Sequence, residues 1–210
     1  MRGEKYLAEK MQVSLELIWS TIAILLTVWG YAPYLIGIYK GTIQPHYFSW
    51  LIWGLTTCIV FFAQFFENGG LGSYPTGVSG ILTLMAAYLS WQKRSEIQVL
   101  LFDWYILVAT LTSLPIWYLF SDPMLSVILL TVMDLLGFLP SFRKAMVSPF
   151  QESTSFYFLF FVRNIISIFA LTVQNVTTVF FPLLVGIFCF IFVVWVYFFR
   201  WRSKRALNEG

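Results

Sequence analysis

Seven apolar segments run almost back to back through this chain, at 17–39, 46–66, 75–92, 97–119, 123–142, 154–173 and 177–200. Each has about the 18 residues or more that a helix needs to cross a bilayer's hydrocarbon core. Backbone N–H and C=O groups cannot stay unpaired in lipid, and the alternating pattern of a membrane barrel strand is absent, so the segments are expected to be helices. Composition agrees: 59% of the 210 residues are hydrophobic and only 11% charged, whereas a soluble domain carries about 25% charge. The expected fold is an all-α integral membrane protein, a seven-helix multi-pass bundle in a cell membrane of bacterial inner-membrane type. It has an N-terminal tail at 1–16 and a basic C-terminal tail at 201–210. No signal-peptide cleavage pattern follows the first run.

The basic residues orient this bundle. Lys40, Lys93, Arg94, Arg143, Lys144, Arg200, Arg202, Lys204 and Arg205 fall on one side. Only Arg2, Lys5 and Lys10 fall on the other, beside Glu4 and Glu9. The positive-inside rule then puts the N-terminus outside and the C-terminus in the cytoplasm. The cluster at 200–205 reads as a stop-transfer anchor, with an anionic lipid headgroup as a second reading. The net charge of +3 is scattered over short loops and implies no nucleic-acid partner.

Sliding the chain against itself by 107 residues reveals an internal repeat. Gly30 meets Gly137, Pro33 meets Pro140, Asn68 meets Asn175 and Pro75 meets Pro182. Apolar coincidences are cheap in so biased a composition, but Gly, Pro and Asn coincidences at one constant shift are not. Three-helix units at 17–92 and 123–200, each with an odd number of spans, are brought parallel by the linker helix within 93–122. The result is a 3+1+3 plan of parallel repeats, an arrangement that transporters build around a midplane site.

The stretches "GYAPYLIGIYKGTIQPHYFSW" at 30–50 and "GFLPSFRKAMVSPFQESTSFYF" at 137–158 carry a resemblance. In both, a Pro near the end of a first helix precedes a basic loop, and a Ser-aromatic pair, Ser49-Trp50 or Ser155-Phe156, opens the next helix. This pattern resembles the PQ-loop, SWEET and SemiSWEET superfamily, which includes the PnuC vitamin-precursor transporters. It also resembles bacterial membrane proteins with a loop like that of Pro149, Glu152 and Ser153. The chain departs from the superfamily's usual Pro-Gln, reading Pro33-Tyr34 and Pro140-Ser141.

The resemblance implies a carrier working by alternating access, with gates at Pro33 and Pro140 and their neighbours Gly30 and Gly137. It also implies a substrate-stacking aromatic on the second helix, for which Trp53, Trp50 and the repeat partner Tyr157 are candidates. The competing reading for the Trp residues is an interfacial aromatic belt. Spans three and seven lack the core Asn that SWEET-like sugar sites share; they offer Ser79, Thr83 and Tyr88, and Cys189. Sugar is therefore disfavoured as substrate.

Asp134 and Arg163 stand out on physical grounds alone. Helical rise puts them about 16 and 14 Å into their spans, near the middle of a core about 30 Å thick. Charges at that depth are costly and need a partner or a water-filled cavity. Two readings stay open: a structural ion pair, or a site in which Asp134 accepts a proton or either charge holds substrate. The 107-residue shift pairs Thr27 with Asp134 and Thr56 with Arg163, so the first repeat is neutral where the second is charged. Asn164 follows Arg163 but points about 100° away around the helix.

Other features read as structural. Asp103 is expected to snorkel near Lys93 or Arg94, and Asn68 and Asn175 to cap helix ends. Asn175-Val-Thr177 forms a sequon close to the membrane. Cys58 and Cys189 read as packing residues. With His46 as the lone His, no metal site, cofactor or catalytic residue is expected. No span core holds the Lys that retinal would need. The remaining functions are transport of a small polar metabolite, proton-coupled through Asp134 in one version, or a membrane receptor of the same fold. The partners are that small molecule and the lipid bilayer, and the sequence leaves oligomeric state open.

Overall fold

The computed structural model describes residues 2–43, 47–92, 101, 104–105, 107–109, 111–112, 115, 123–147 and 149–208. They form helices α1 (Arg2–Lys40), α2 (Tyr47–Phe66), α3 (Tyr74–Gln92), α4 (Pro123–Leu136), α5 (Phe138–Val147), α6 (Thr154–Phe169) and α7 (Val176–Asn208), with 3-10 turns at Gly70–Ser73 and Pro149–Gln151. No strand occurs among the described residues. Among the described residues, four stretches are long and apolar enough to cross a membrane: Lys10–Lys40, Tyr47–Phe66, Met124–Val147 and Val176–Arg205. Thr154–Phe169 is apolar but shorter. Most of 97–119 lies outside the described residues, as do Asp103, Lys93, Arg94 and His46. Where that segment is described, the Trp104 ring meets Phe48 edge-on at 5.0 Å.

α3 packs on both α1 and α2, and α7 packs on both α4 and α6. The third helix of each half thus lies between the other two. Close approach depends on small residues, as is common between apolar helices. Gly77 lies against Phe61 and Gly80 against Cys58. Between the halves, α1 packs on α6 and α2 on α4. Exchanging the halves maps each of these seams onto the other.

Three boundaries differ from the sequence expectation. Residues 1–16 are not a loose tail, because α1 runs from Arg2 to Lys40, about 58 Å by helical rise. No Pro interrupts it before Pro33, and Gln12 donates to Glu16 one turn on at 3.2 Å. The basic tail likewise continues α7 to Asn208, with Arg205 over the Trp201 ring at 5.5 Å.

The third difference is a break at Gly137, which divides the single span expected at 123–142 into α4 and α5. Its repeat partner Gly30 lies inside unbroken α1. Both helices contain a Pro three residues later, which removes a backbone donor, so Pro is not the difference. At the break, the Trp53 indole Nε1 donates to the Asp134 carbonyl at 2.9 Å. The residue equivalent to Trp53 at the Gly30 site is Phe160, whose ring has no donor and lies 3.4 Å from where a Cβ on Gly30 would sit.

One end of the bundle is tied together across the halves. The Thr172 amide donates to the Gly69 carbonyl at 3.2 Å, and the Thr172 hydroxyl to Glu16 Oε2 at 2.8 Å. Gln64 Nε2 reaches the Thr178 carbonyl at 2.7 Å. Asn68 closes α2 with φ 58°, and Asn175 Oδ1 accepts the Thr178 amide at 3.0 Å in the first turn of α7. The Gly70–Ser73 turn sits so close to the second half that a Cβ on Gly72 would lie 2.5 Å from Leu171 Cα.

Gly72→Ala is therefore expected to wedge this end apart and destabilise the protein by about 1–3 kcal/mol, the usual scale of overpacking. Gly30→Ala, facing a ring edge at contact distance within a helix, should be neutral or stabilising by up to about 1 kcal/mol. Thermal unfolding in detergent checks both; equal losses would refute the packing described at Gly72.

Candidate functional site

Between the two halves, midway along the helices, lies a cavity of about 60 Å³. Its wall draws on both halves in register. Tyr31 and Phe138, Trp50 and Tyr157, Trp53 and Phe160, and Thr57 and Asn164 all line it. Each of these four pairs is related by the same 107-residue shift. Ser79 and Thr83 from α3 and Phe181, Val185 and Cys189 from α7 complete opposite sides, with Phe156, Asp134 and Arg163.

Asp134 and Arg163 share the cavity but do not pair. Among the described residues the Asp134 side chain has one hydrogen-bond partner, the Thr56 hydroxyl, which donates to Oδ1 at 2.6 Å. Arg163 Nε donates to the Thr27 hydroxyl at 3.0 Å, and Nη1 to Asn164 Oδ1 at 2.8 Å. The structural ion pair is thus replaced by two bonds across the seams, each from a charged residue of the second half to a threonine of the first. The 107-residue shift relates the two bonds. Thr27 occupies the place of Asp134 and Thr56 that of Arg163, so the same contact is made twice, 27 with 163 and 134 with 56.

Threonine suits both places because a hydroxyl can donate or accept. Thr27 donates its own proton to the Ala23 carbonyl at 2.7 Å, leaving a lone pair for the guanidinium. Thr56 directs its proton to the Asp134 carboxyl at 2.6 Å, with the Trp53 carbonyl as a second acceptor at 3.0 Å. Both threonines and Arg163 are almost wholly inaccessible, at 0%, 0% and 2% exposed. Bonds to such groups are worth more than at a surface, because the alternative is an unsatisfied polar group.

One donor stays unmatched. Arg163 Nη2 has no hydrogen-bond partner among the described residues. The nearest aromatic face is Phe160, 6.0 Å from the guanidinium carbon to the ring centroid. Asn164, expected to point away from Arg163, instead curls back: its Oδ1 accepts from Arg163 and its Nδ2 donates to the Phe160 carbonyl at 2.8 Å. A 100° step along a helix separates Cα positions, but a guanidinium is long enough to reach around it.

The aromatic candidates cluster on the side of the cavity towards Lys40 and Arg143. Tyr34 stacks between Trp50 and Phe156, with centroids 4.8 Å from each, and Trp50 meets Trp53 at 5.6 Å. These rings close that end, and Tyr34 also shares a side-chain hydrogen bond with Trp50. Tyr31 is buried in the same group, and its hydroxyl donates to Thr83, whose own proton goes to the Ser79 carbonyl at 2.7 Å. Tyr88 does not reach the cavity and is 56% exposed.

Of the gate candidates, Gly137 has a second role here: a Cβ would collide with the Trp53 indole nitrogen. Pro33 lies within α1 and Pro140 within α5. Thr57, Tyr31, Phe156 and Phe181 were not singled out in the sequence. The 107-residue shift from Asn164 and Phe138 leads directly to Thr57 and Tyr31, whereas the Ser155-Phe156 pair marked a helix start rather than a cavity wall, and Phe181 carries no signal that it lines a cavity. Comparison with protein-family models, curated proteins and solved structures finds no match to this chain.

Neutralising the two charges separates direct pairing from the crossed arrangement. Asp134→Asn keeps an oxygen for Thr56 and is expected to cost under about 1.5 kcal/mol. Arg163→Gln loses the Thr27 bond and should cost about 2–4 kcal/mol. Because the two charges share no partner, their effects should add in the double variant. Rescue of Arg163→Gln by Asp134→Asn in unfolding measurements would restore the ion-pair reading.

Proposed function

We propose that this chain is an integral membrane transporter for a small polar metabolite, working by alternating access. In this reading it has the 3+1+3 plan of parallel repeats with the N-terminus outside and the C-terminus cytoplasmic. The observation that carries the proposal is the cavity between the halves, lined by repeat-related pairs from both and holding two charged residues that do not neutralise each other by contact. A purely structural core would gain from filling that space and pairing those charges. The resemblance of 30–50 and 137–158 to the PQ-loop and SWEET superfamily points the same way.

The two ends of the cavity support a mechanism. Towards Glu16 and Thr172 the halves are joined by hydrogen bonds, and towards Lys40 and Arg143 by stacked rings. Both closures run between the halves, so rocking one half against the other opens one end while keeping the other shut. About 60 Å³ has room for a few waters and leaves little for a metabolite, so the halves must part further for one to load. The break at Gly137 and the prolines at 33 and 140 supply places for the first helix of each half to bend. Asp134, with a single hydrogen bond, is the group through which a proton would couple.

Proteoliposomes loaded with a mixture of sugars, amino acids and organic acids are expected to lose particular solutes faster than protein-free liposomes, as read by mass spectrometry. A Pro33→Ala/Pro140→Ala variant that expresses and folds normally should slow that loss about tenfold or more. Wild-type flux in that variant would remove the hinge role. Solute binding without flux would make the protein a receptor of this fold.

A further inference from the structure

The cavity's chemistry narrows the ligand, granted that the cavity is the binding site of the transport reading. Its two charged residues are opposite in sign and each is held by the protein rather than by the other. In so little water, a ligand with one charge matches one of them and leaves its own charge facing the other, and a neutral ligand matches neither. A ligand with both charges meets both. Arg163 has an unused donor at Nη2, which calls for an anionic acceptor; a carboxylate satisfies guanidinium geometry best.

The other end of the ligand is set by Asp134 and by the rings beside it. Trp53 donates to the Asp134 backbone carbonyl, and Trp53, Trp50 and Phe138, packed together at 5.6 and 5.2 Å, line the same cavity as Asp134. A carboxyl group in a cavity walled by aromatic rings suits a cation, since rings attract ammonium groups through their quadrupoles. The cavity volume limits the body joining the two ends to a few atoms.

We propose that the cavity takes a small zwitterion, its carboxylate on Arg163 and its ammonium against Asp134 and the Trp53 side of the wall. Bound in this way, the ligand bridges two elements, α4 and α6, that no direct ion pair connects, and supplies the neutralisation that the protein alone leaves undone.

Calorimetric binding to the purified full-length chain in detergent tests this with four probes: glycine, glycine betaine, acetate and tetramethylammonium. At least one zwitterion should bind ten times or more tighter than either singly charged probe. Glycine betaine ahead of glycine would name a methylated cation, and the reverse a primary ammonium. Asp134→Asn, which keeps the Thr56 bond, should shrink the zwitterion's advantage over acetate to within about threefold. The proposal falls if acetate binds as well as the zwitterions, if neither zwitterion binds, or if Asp134→Asn leaves the ratio unchanged. Its failure is distinct from that of the transport reading. Zwitterion binding without liposome flux removes transport alone, and flux of a neutral sugar without zwitterion binding removes this inference alone.

Discussion

The crossed bonds from Thr27 to Arg163 and from Thr56 to Asp134 are the contacts on which the rest of the interior depends. They fix the two halves against each other at mid-depth, where hydrophobic packing between apolar helices gives little directional preference. They also decide what the cavity contains. Had Asp134 and Arg163 met directly, they would have closed the space between α4 and α6 and neutralised it. Held apart by partners on α1 and α2, they leave a polar floor beneath an aromatic wall.

The aromatic wall follows from the same repeat. Trp53 lies opposite Gly137 as Phe160 lies opposite Gly30. At Gly137 the ring fills a notch that a Cβ would close, whereas Phe160 meets Gly30 at ordinary contact distance; in both places the second helix of one half packs on the first helix of the other. Where the ring is Trp, its indole N–H engages the Asp134 carbonyl and the helix breaks at Gly137; where it is Phe, α1 continues through Gly30. α4 and α5 meet at Gly137, where the helical bond from its amide to the Met133 carbonyl persists at 3.1 Å. Asp134 lies on α4 one turn before this joint, and Arg163 on α6.

Much of this was legible in the sequence, for identifiable reasons. Apolar run length revealed the helices, because lipid admits few alternatives for a backbone. Gly, Pro and Asn at a constant shift led to residues that meet across the cavity, because these residues are chosen by backbone geometry and are rare enough here to be informative. Depth along a helix is simple arithmetic, so it singled out Asp134 and Arg163. The sequence was silent about who touches whom across the seams. Equal depth suggested an ion pair, yet depth is one coordinate of three, and the azimuth of each helix is set by packing. The break at Gly137 was hidden for the same reason: Pro33 and Pro140 look alike until the residue opposite is known. α1 and α7 run beyond the apolar spans at 17–39 and 177–200, because charged residues end a membrane span without ending a helix.

The two crossed bonds also bear on motion. They lie between the end tied at Thr172 and the end closed by Tyr34, Trp50 and Phe156, where a rocking axis between the halves would pass. Displacements near such an axis are small, so short hydrogen bonds there can persist while the ends separate. The two closures differ in kind. The hydrogen bonds of Glu16, Gly69 and Gln64 break within a few tenths of an ångström, and their groups are satisfied by water once exposed. The ring stack separates with loss of apolar contact, which is costly in water but can be offset by rings of a ligand or by lipid. A carrier of this design would therefore open more readily towards the hydrogen-bonded end when empty.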